Sequence, residues 1–229
     1  LVVTGDPDML AVPWNALPSR VGVATTVAPS LTGWVRSAST NRANGAAPWV
    51  LAAGPDLDVA DHELTVLSEL RPDAAALART DASADRLLTA LDGAAGAHLI
   101  AHGSIRSDNP LFSSFRLVDG DVSVYELDDL SAPPDMVVLS ACHLGLSSSA
   151  PGRELLGMAT GLLAIGTSTV IASTLPVADD RRTVDLMTGL HRALLDDDRP
   201  AEAWARVQRN ADDEARLDAA AFTVFGRGW

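Results

Sequence analysis

The chain contains a single cysteine, Cys142, and this scarcity limits both its stabilisation and its chemistry. One cysteine excludes an internal disulfide framework, which suits a reducing compartment. Any thiol chemistry in this protein must therefore use that one residue. A lone cysteine with a histidine elsewhere in the sequence is the pattern expected of a cysteine-dependent enzyme.

The sequence also lacks segments that would place it in or across a membrane. No continuous apolar run reaches the roughly 20 residues that a membrane-spanning helix requires. No secretory signal is present before the strand-like opening segment LVVTGDP, so we expect a cytoplasmic protein without a membrane partner. Because the sequence does not begin with methionine, we also expect it to be a fragment of a longer protein.

Basic residues are few, because 17 Lys and Arg stand against 30 Asp and Glu, for a formal net charge of −13. A nucleic-acid-binding surface needs clustered cations, so this balance argues against a nucleic-acid partner. It is compatible with a basic peptide partner and equally with a role in solubility alone. With 47% hydrophobic residues in 229, the chain can bury a sizeable core, and we expect one domain over residues 1–229.

Two short apolar segments each end in a reactive side chain. Residues 97–103 read AHLIAHG and supply His102, whereas residues 136–142 read MVVLSAC and supply Cys142. Such runs are typical of buried parallel strands, and open α/β sheets place their sites at the carboxyl ends of those strands. The two residues are 40 positions apart (142 − 102), enough for a hairpin and a crossover that make the strands neighbours. We therefore expect a Cys–His nucleophilic site with His102 as the base.

The backbone N–H groups of Gly103 and Cys142 are candidates for an oxyanion hole beside that pair, since glycine permits close approach of a ligand. Read alone, the segment around Cys142 is more typical of a small buried hydrophobe, and it is the histidine segment that favours the catalytic interpretation. Of the other histidines, we expect His98 in the core and His143 beside the cleft. We expect His62 and His191 to be solvated on helix surfaces. No cluster has the ligand count or spacing of a zinc site, and P-loop and GxSxG motifs are missing, so we expect neither a metal nor a cofactor.

Strands and helices alternate along the chain, which predicts βαβ units and a mostly parallel sheet layered by helices on both faces. We expect a loop over residues 36–48, a hairpin around Asp119-Gly120 and a terminal edge strand near Val224. The other expected strands are 21–27, 49–53, 97–102, 136–141 and 168–173, and the expected helices are 60–70, 84–91, 154–165, 179–195 and 201–217.

Four stretches resemble the CHAT domain, a bacterial caspase-like (clan CD) cysteine peptidase domain related to separase. Residues 6–18, DPDMLAVPWNALP, resemble its opening hairpin, and residues 54–57, GPDL, the strand end that follows. Residues 98–120 resemble its histidine block, and residues 137–183 its cysteine block with the next helix and strand. The resemblance covers nearly the whole chain. It implies a three-layer caspase-like α/β sandwich with a mostly parallel central sheet, and hydrolysis of peptide bonds.

The same resemblance implies roles for individual residues. Cys142 takes the role of nucleophile, His102 that of general acid–base, and Gly103 that of an oxyanion N–H donor. No metal or other cofactor belongs to that chemistry. The implied partner is a protein or peptide substrate, together with a regulatory or sensor domain or protein.

Substrate preference is implied by the segment STLPVADD, which resembles SLWPVDD of the family. Asp179 falls where separase-like peptidases hold the carboxylate for a basic P1 side chain, the residue before the cleaved bond. Asp180 and Ser140 are further substrate-binding candidates, although Ser140 stands where metacaspases carry an acidic residue. Leu175 replaces the usual tryptophan, and Ala178 replaces an acidic residue. The alternative for both aspartates is stabilisation of a helix N-terminus.

The function favoured by these features is a cysteine endopeptidase that cleaves after Arg or Lys, as the effector of a bacterial regulatory or defence system. Two alternatives stay open: a catalytically silent caspase-like binding module, and a small-molecule hydrolase or transferase that uses Cys142. An open groove beside a sheet edge favours peptide binding, whereas a closed pocket under a helical lid favours a small molecule.

Overall fold

The computed structural model describes residues 1–39, 47–104, 106, 109–140 and 151–229, with residues 36–39 and 151–157 described as backbone only. The strands in this part of the chain are β1 (Val2–Val3), β2 (Thr26–Val27), β3 (Trp49–Ala53), β4 (Ala75–Leu77), β5 (Gly96–Ile100), β6 (Gly103–Ser104), β7 (Ser114–Leu117), β8 (Gly120–Ser123), β9 (Met136–Leu139), β10 (Thr169–Ser173) and β11 (Phe222–Gly226). The helices are α1 (Pro7–Leu10), α2 (Leu31–Ser39), α3 (Ala60–Leu70), α4 (Ala84–Leu91), α5 (Val124–Leu127), α6 (Pro151–Ala164), α7 (Arg181–Leu195), α8 (Pro200–Asn210) and α9 (Asp213–Ala221).

Eight strands form one sheet in the order β1-β2-β11-β10-β9-β5-β3-β4. Every neighbouring pair is parallel except β10 with β11, so the expectation of a mostly parallel sheet is confirmed. Strands β5 and β9 are direct neighbours, and Leu99 lies opposite Leu139 in their register. The two strands that precede His102 and Cys142 therefore share one ladder.

Helices cover both faces of this sheet because its central strands are buried on both sides. On β9, Val137 packs in one cluster with Leu87 of α4 and Met158 of α6. The next residue, Val138, points to the opposite face and packs in a second cluster with Trp204 of α8. The side-chain period of 2 along the strand thus divides the core into two layers of contact. The result is the expected α/β sandwich of three layers.

A second, three-stranded sheet in the order β6-β7-β8 follows directly after β5. Strands β7 and β8 form the expected hairpin, and its turn ends at Gly120, whose φ of 143° is readily available to glycine. Strand β6 is at the edge of this sheet and begins at Gly103. His102 therefore lies in the two-residue connection between β5 of the large sheet and β6 of the small sheet.

The carboxyl-terminal part of the chain differs from expectation in two places. The single helix expected over 201–217 is two helices, because the Asp212 side chain accepts a hydrogen bond from the Ala215 N–H at 2.9 Å and caps α9. Strand β11 is not an edge strand but lies between β2 and β10. All five of its residues are buried, so an inner position removes more apolar surface from water.

The amino-terminal part also differs. The strand expected over residues 21–27 is reduced to β2, because Gly22 has a φ of 67° and turns the chain. Residues 6–18 form α1 and a short 3-10 turn instead of a hairpin, with Asp6 capping α1 and Pro7 in its first turn. Helix α2 occupies the first part of the loop expected over 36–48. Within the described residues, no helix has the length and apolar character needed to cross a membrane.

Candidate active site

His102 lies just beyond the carboxyl end of β5, where the chain leaves the large sheet and enters the small one. Its carbonyl accepts a hydrogen bond from the Arg116 N–H of β7 at 2.8 Å. Its side chain is half-buried. The backbone of His102 is thus fixed from both sheets, while its ring remains accessible at the sheet edge where parallel α/β folds place their sites.

Residues 54–58, which we call the Asp56 loop, connect β3 to α3 and run beside His102. The loop begins under tight constraint, because the Gly54 N–H donates to the Ile100 carbonyl at 2.8 Å. A Cβ atom on Gly54 would lie 2.5 Å from the Arg116 carbonyl oxygen, so only glycine fits without movement. Asp56 itself has a φ of 62°, a left-handed conformation that Asp tolerates better than most residues. The start and the turn of this loop are therefore defined by local sterics.

The imidazole of His102 binds this loop through Nε2, which lies 2.8 Å from the Asp56 carbonyl oxygen. A carbonyl oxygen only accepts hydrogen bonds, so Nε2 must carry the proton. In the neutral imidazole the lone pair is then on Nδ1. The loop therefore selects the tautomer in which Nδ1 is the basic nitrogen.

The Gly103 N–H belongs to the edge strand of the small sheet. Residues directly opposite each other on antiparallel strands alternate between hydrogen-bonded and non-hydrogen-bonded pairs. The His102 carbonyl accepts the Arg116 N–H, so His102 and Arg116 form a hydrogen-bonded pair. The next pair, Gly103 with Phe115, is therefore a non-hydrogen-bonded pair. The Gly103 N–H consequently points away from β7. A backbone donor in this orientation can face a ligand at the exposed side of the edge strand.

Asp179 and Asp180 lie between β10 and α7 but have different hydrogen-bond partners. Asp179 is half-buried, and its Oδ2 accepts the Asp58 N–H of the Asp56 loop at 2.6 Å. Asp180 caps α7 by accepting the Arg182 N–H at 2.9 Å, and it pairs with the Arg182 guanidinium at 2.8 Å. The hydrogen bonds from the Arg182 side chain lower the pKa of Asp180. Asp180 is thus engaged by its own helix, as the helix-terminus alternative predicts.

Ser140 follows β9 directly and is only 3% exposed. Its hydroxyl donates to Oε1 of Glu63 on α3 at 2.5 Å. The side chain therefore faces the interior beneath α3. This geometry favours a structural contact for Ser140 over the contact with substrate that the family resemblance implies.

Glu63 ends a chain of buried polar side chains that the sequence pattern did not predict. Arg71 Nε donates to His191 Nδ1 at 2.7 Å, and His191 Nε2 lies 2.9 Å from His98 Nδ1. His98 Nε2 in turn lies 2.9 Å from Glu63 Oε1. The Arg71 guanidinium also stacks 4.3 Å from the ring centroid of Trp49. Both histidines and Glu63 are at most 1% exposed, so each polar group depends on its neighbours for hydrogen bonds.

The expected positions of the histidines are partly confirmed. His98 is in the core and His62 is exposed, as predicted. The prediction that His191 is solvated was wrong, because it is fully buried on the inner face of α7. His191 is four residues after Met187 and seven after Val184, which places it on the apolar stripe of α7. This spacing was the sequence feature that indicated burial. The pKa of His191 is well below its usual value, mainly because of burial and also because of His98 and Arg71.

Cys142 and His143 lie outside the described residues. Within the parts of the chain that are described, no three His, Cys, Asp or Glu side chains are grouped to hold a metal ion.

Comparison with known proteins gives two matches and one negative result. The sequence profile of the CHAT domain matches residues 1–226. The fold is similar to that of a Saccharomyces cerevisiae separase solved in complex with securin, with a TM-score of 0.68 and 16% identity. That match covers 99% of this chain and 15% of the separase chain. A comparison with curated protein sequences finds no match.

These matches agree with the architecture described above. At 16% identity the structural match carries the fold alone, and that fold is the caspase-like α/β sandwich. The sequence match, by contrast, extends over almost the entire chain, since it ends at residue 226 of 229. The chain belongs to the CHAT domain family.

Proposed function

We propose that this chain is a cysteine endopeptidase in which Cys142 is the nucleophile and His102 the general acid–base. The observation that carries the proposal is the hydrogen bond between His102 Nε2 and the Asp56 carbonyl. It orients the imidazole and leaves Nδ1 as the nitrogen that receives a proton.

The register of the two central strands supports the pairing of these residues. Leu99 of β5 lies opposite Leu139 of β9. His102 follows the first of these leucines by three residues (102 − 99), and Cys142 follows the second by three (142 − 139). The described ends of the two strands therefore lie at the same level of one ladder, and each candidate residue follows three positions later in the sequence. The carboxyl ends of parallel strands are where α/β sheets place their sites.

In the proposed mechanism, His102 Nδ1 takes the proton of the Cys142 thiol, and the thiolate attacks the carbonyl carbon of the scissile peptide. The negative charge that develops on the carbonyl oxygen is stabilised by the Gly103 N–H. The imidazolium then protonates the leaving amine, and a thioester to Cys142 remains. Water deprotonated by the same nitrogen hydrolyses the thioester and restores the thiol.

We further propose that Asp179 binds a basic P1 side chain. Of the three acidic or polar candidates, Asp180 is engaged with Arg182 and Ser140 with Glu63. Asp179 accepts one backbone N–H on Oδ2, and a carboxylate has about four acceptor sites in total. It therefore retains capacity for a guanidinium, which pairs with carboxylates through charge-assisted hydrogen bonds.

The catalytic proposal is tested by turnover of a fluorogenic peptide library with the intact chain and with Cys142→Ala and His102→Ala. We expect each substitution to abolish cleavage without unfolding the domain, because a nucleophile and its base act as a unit. Circular dichroism of each variant provides the control for folding. Cleavage at the wild-type rate by either variant would exclude the proposed site, and cleavage of no peptide by the wild type would favour a binding module.

The specificity proposal is tested with Asp179→Asn, which removes the charge and keeps an oxygen to accept the Asp58 N–H. We expect kcat/KM on Arg substrates to fall at least tenfold, because losing a partner of a desolvated charge typically costs about 2–5 kcal/mol. Cleavage after a neutral residue should change far less. Asp180→Asn is the matched control, and we expect it to keep the Arg preference. An equal loss on both substrates would assign Asp179 to holding the Asp56 loop instead.

Regulation by another protein or domain is also part of the proposal. Its support is the structural match, since the similar separase was solved in complex with securin. Acting as the effector of a bacterial regulatory or defence system would require such control over a peptidase. Comparing turnover of the chain alone with its turnover in the presence of a candidate regulatory protein tests this directly.

A further inference from the structure

One oxygen atom joins the two strands that lead to the proposed catalytic residues. Glu63 Oε1 contacts His98 Nε2 on β5 at 2.9 Å and the Ser140 hydroxyl after β9 at 2.5 Å. His98 precedes His102 by four residues, and Ser140 precedes Cys142 by two. The carboxylate of α3 thus bridges both strands immediately before their functional ends.

The direction of each hydrogen bond in the network Arg71–His191–His98–Glu63 follows from Arg71, its cationic member. Arg71 only donates, so His191 Nδ1 accepts and His191 Nε2 carries the proton. His98 Nδ1 then accepts from His191, which leaves the His98 proton on Nε2, facing Glu63. Glu63 Oε1 therefore receives one donor from each strand. No alternative arrangement of protons satisfies Arg71 and both neutral rings.

We infer that Glu63 is a positioning residue for the nucleophile: it holds Ser140, and through Ser140 the end of β9, in register with the end of β5. This inference rests on the proposed function, in which Cys142 is the nucleophile. Glu63 acts through Ser140 and touches no reacting atom. The role of the Arg71–His191–His98 chain is to keep the Glu63 carboxylate oriented in the dry interior.

Stability alone is a weak explanation for so many buried polar groups. Replacement of buried ionic networks by apolar residues of similar volume is often neutral or stabilising, because desolvation of the charges offsets their attraction. An apolar cluster would not fix one backbone position relative to another as directional hydrogen bonds do. Ser140 lies at the end of the strand that leads to Cys142, so directional hydrogen bonds to Ser140 fix the backbone position from which Cys142 follows.

The test compares Ser140→Ala with Ser168→Ala. Ser168 is a matched control, because it is also 3% exposed and its hydroxyl donates to the Asp135 carboxylate at 2.5 Å. Asp135 precedes β9, so this contact is at the opposite end of the same strand. We expect Ser140→Ala to lower kcat about tenfold or more with KM within about twofold, since small displacements of reacting groups have large effects on rate. Ser168→Ala should keep kcat near the wild-type value.

A second readout needs no substrate, because Cys142 is the only thiol in the chain. Iodoacetamide alkylation measured against pH reports how well His102 supports the thiolate. We expect Ser140→Ala to move the midpoint of this profile toward that of a free thiol, as His102→Ala does, and Ser168→Ala to leave it unchanged. If His102→Ala changes neither alkylation nor turnover, the proposed function fails. If His102→Ala acts as expected but Ser140→Ala and Ser168→Ala are indistinguishable, only the positioning role is refuted.

Glu63 itself provides a further pair of variants. Glu63→Gln keeps an acceptor oxygen for both donors, whereas Glu63→Leu removes it with little change in volume. We expect Glu63→Gln to retain kcat within about threefold and Glu63→Leu to match Ser140→Ala, because only the first preserves the geometry of the hydrogen bonds. Wild-type kcat in Glu63→Leu would overturn the inference. If Glu63→Leu does not fold, Ser140→Ala remains decisive.

Discussion

The burial of His191 predicts that the protein loses stability as the pH falls below about 6.5. In the folded state its pKa is well below the usual 6.5, because burial and then the neighbouring His98 and Arg71 disfavour the charged ring. In the unfolded chain the same ring titrates near its usual pKa. Below pH 6.5 the unfolded state therefore binds a proton that the folded state does not, and the proton stabilises the unfolded state.

The magnitude follows from proton linkage for one group. While the folded ring stays neutral, each pH unit below 6.5 lowers the free energy of unfolding by about 1.4 kcal/mol. At pH 5.5 the contribution of His191 is thus a loss of about 1.4 kcal/mol compared with pH 7.5, where both states are mostly deprotonated. With an m value of about 2 kcal/mol/M, the urea midpoint should fall by about 0.7 M.

The assay is urea denaturation at pH 7.5 and pH 5.5 for the wild type and for His191→Gln. A glutamine amide has an oxygen to accept from Arg71 and an N–H to donate toward His98, but it does not titrate. We expect the pH dependence of the variant to be smaller by about 1.4 kcal/mol than that of the wild type, whatever its stability at pH 7.5. Equal pH dependence of the two proteins would show that His191 is charged in the folded state or is not buried.

Four other outcomes are expected. In thermal melts, Gly54→Ala should destabilise the fold by about 1–3 kcal/mol, and it should reduce turnover, because the new Cβ would meet the Arg116 carbonyl oxygen at 2.5 Å. Gly189→Ala in α7, whose Cβ would make an ordinary 3.5 Å contact with Val207, should stabilise the fold by up to about 1 kcal/mol in the same melts. Asp180→Ala should cost about 1 kcal/mol of unfolding free energy in urea titrations through loss of the α7 cap, and an unchanged midpoint would contradict the capping role. A chelator such as EDTA should leave peptide turnover unchanged. Loss of turnover on addition of EDTA would require a metal-dependent mechanism.

The alternation of strands and helices was sufficient to predict a mostly parallel central sheet. Residues 97–102 and 136–141 are apolar without alternation, which is typical of parallel strands buried on both faces. The pattern did not show that β11 is an inner strand, because a short apolar run does not specify its neighbours. It also did not separate α8 from α9, because the acidic residues at 212–214 are compatible with a continuous helix surface. In the structure, the break is marked by extended backbone at Ala211 and by the capping contact of Asp212.

The buried polar chain was difficult to predict for a different reason. Each member is close to its partners only after the chain has folded, since Ser140 and Glu63 are 77 positions apart and Arg71 and His191 are 120 apart. Glutamate and arginine are usually surface residues, so their residue types gave no indication that Glu63 and Arg71 are buried. For Glu63, as for His191, the local indication of burial was its position on an apolar stripe, here the Ala60–Leu67 stripe of α3.

The contacts around His102 and those around Ser140 differ in burial, and this difference assigns them to different steps of the proposed reaction. The Asp56 loop binds His102 and Asp179 by exposed hydrogen bonds, for which water competes, and such loops open locally at low free-energy cost. The Glu63 contacts are dry, so their geometry is retained between free and substrate-bound states. Substitutions in the loop should therefore change KM and P1 preference most, because the loop can adjust when substrate binds. Substitutions at Glu63 and Ser140 should change kcat most, because they displace a strand end that substrate binding does not restore.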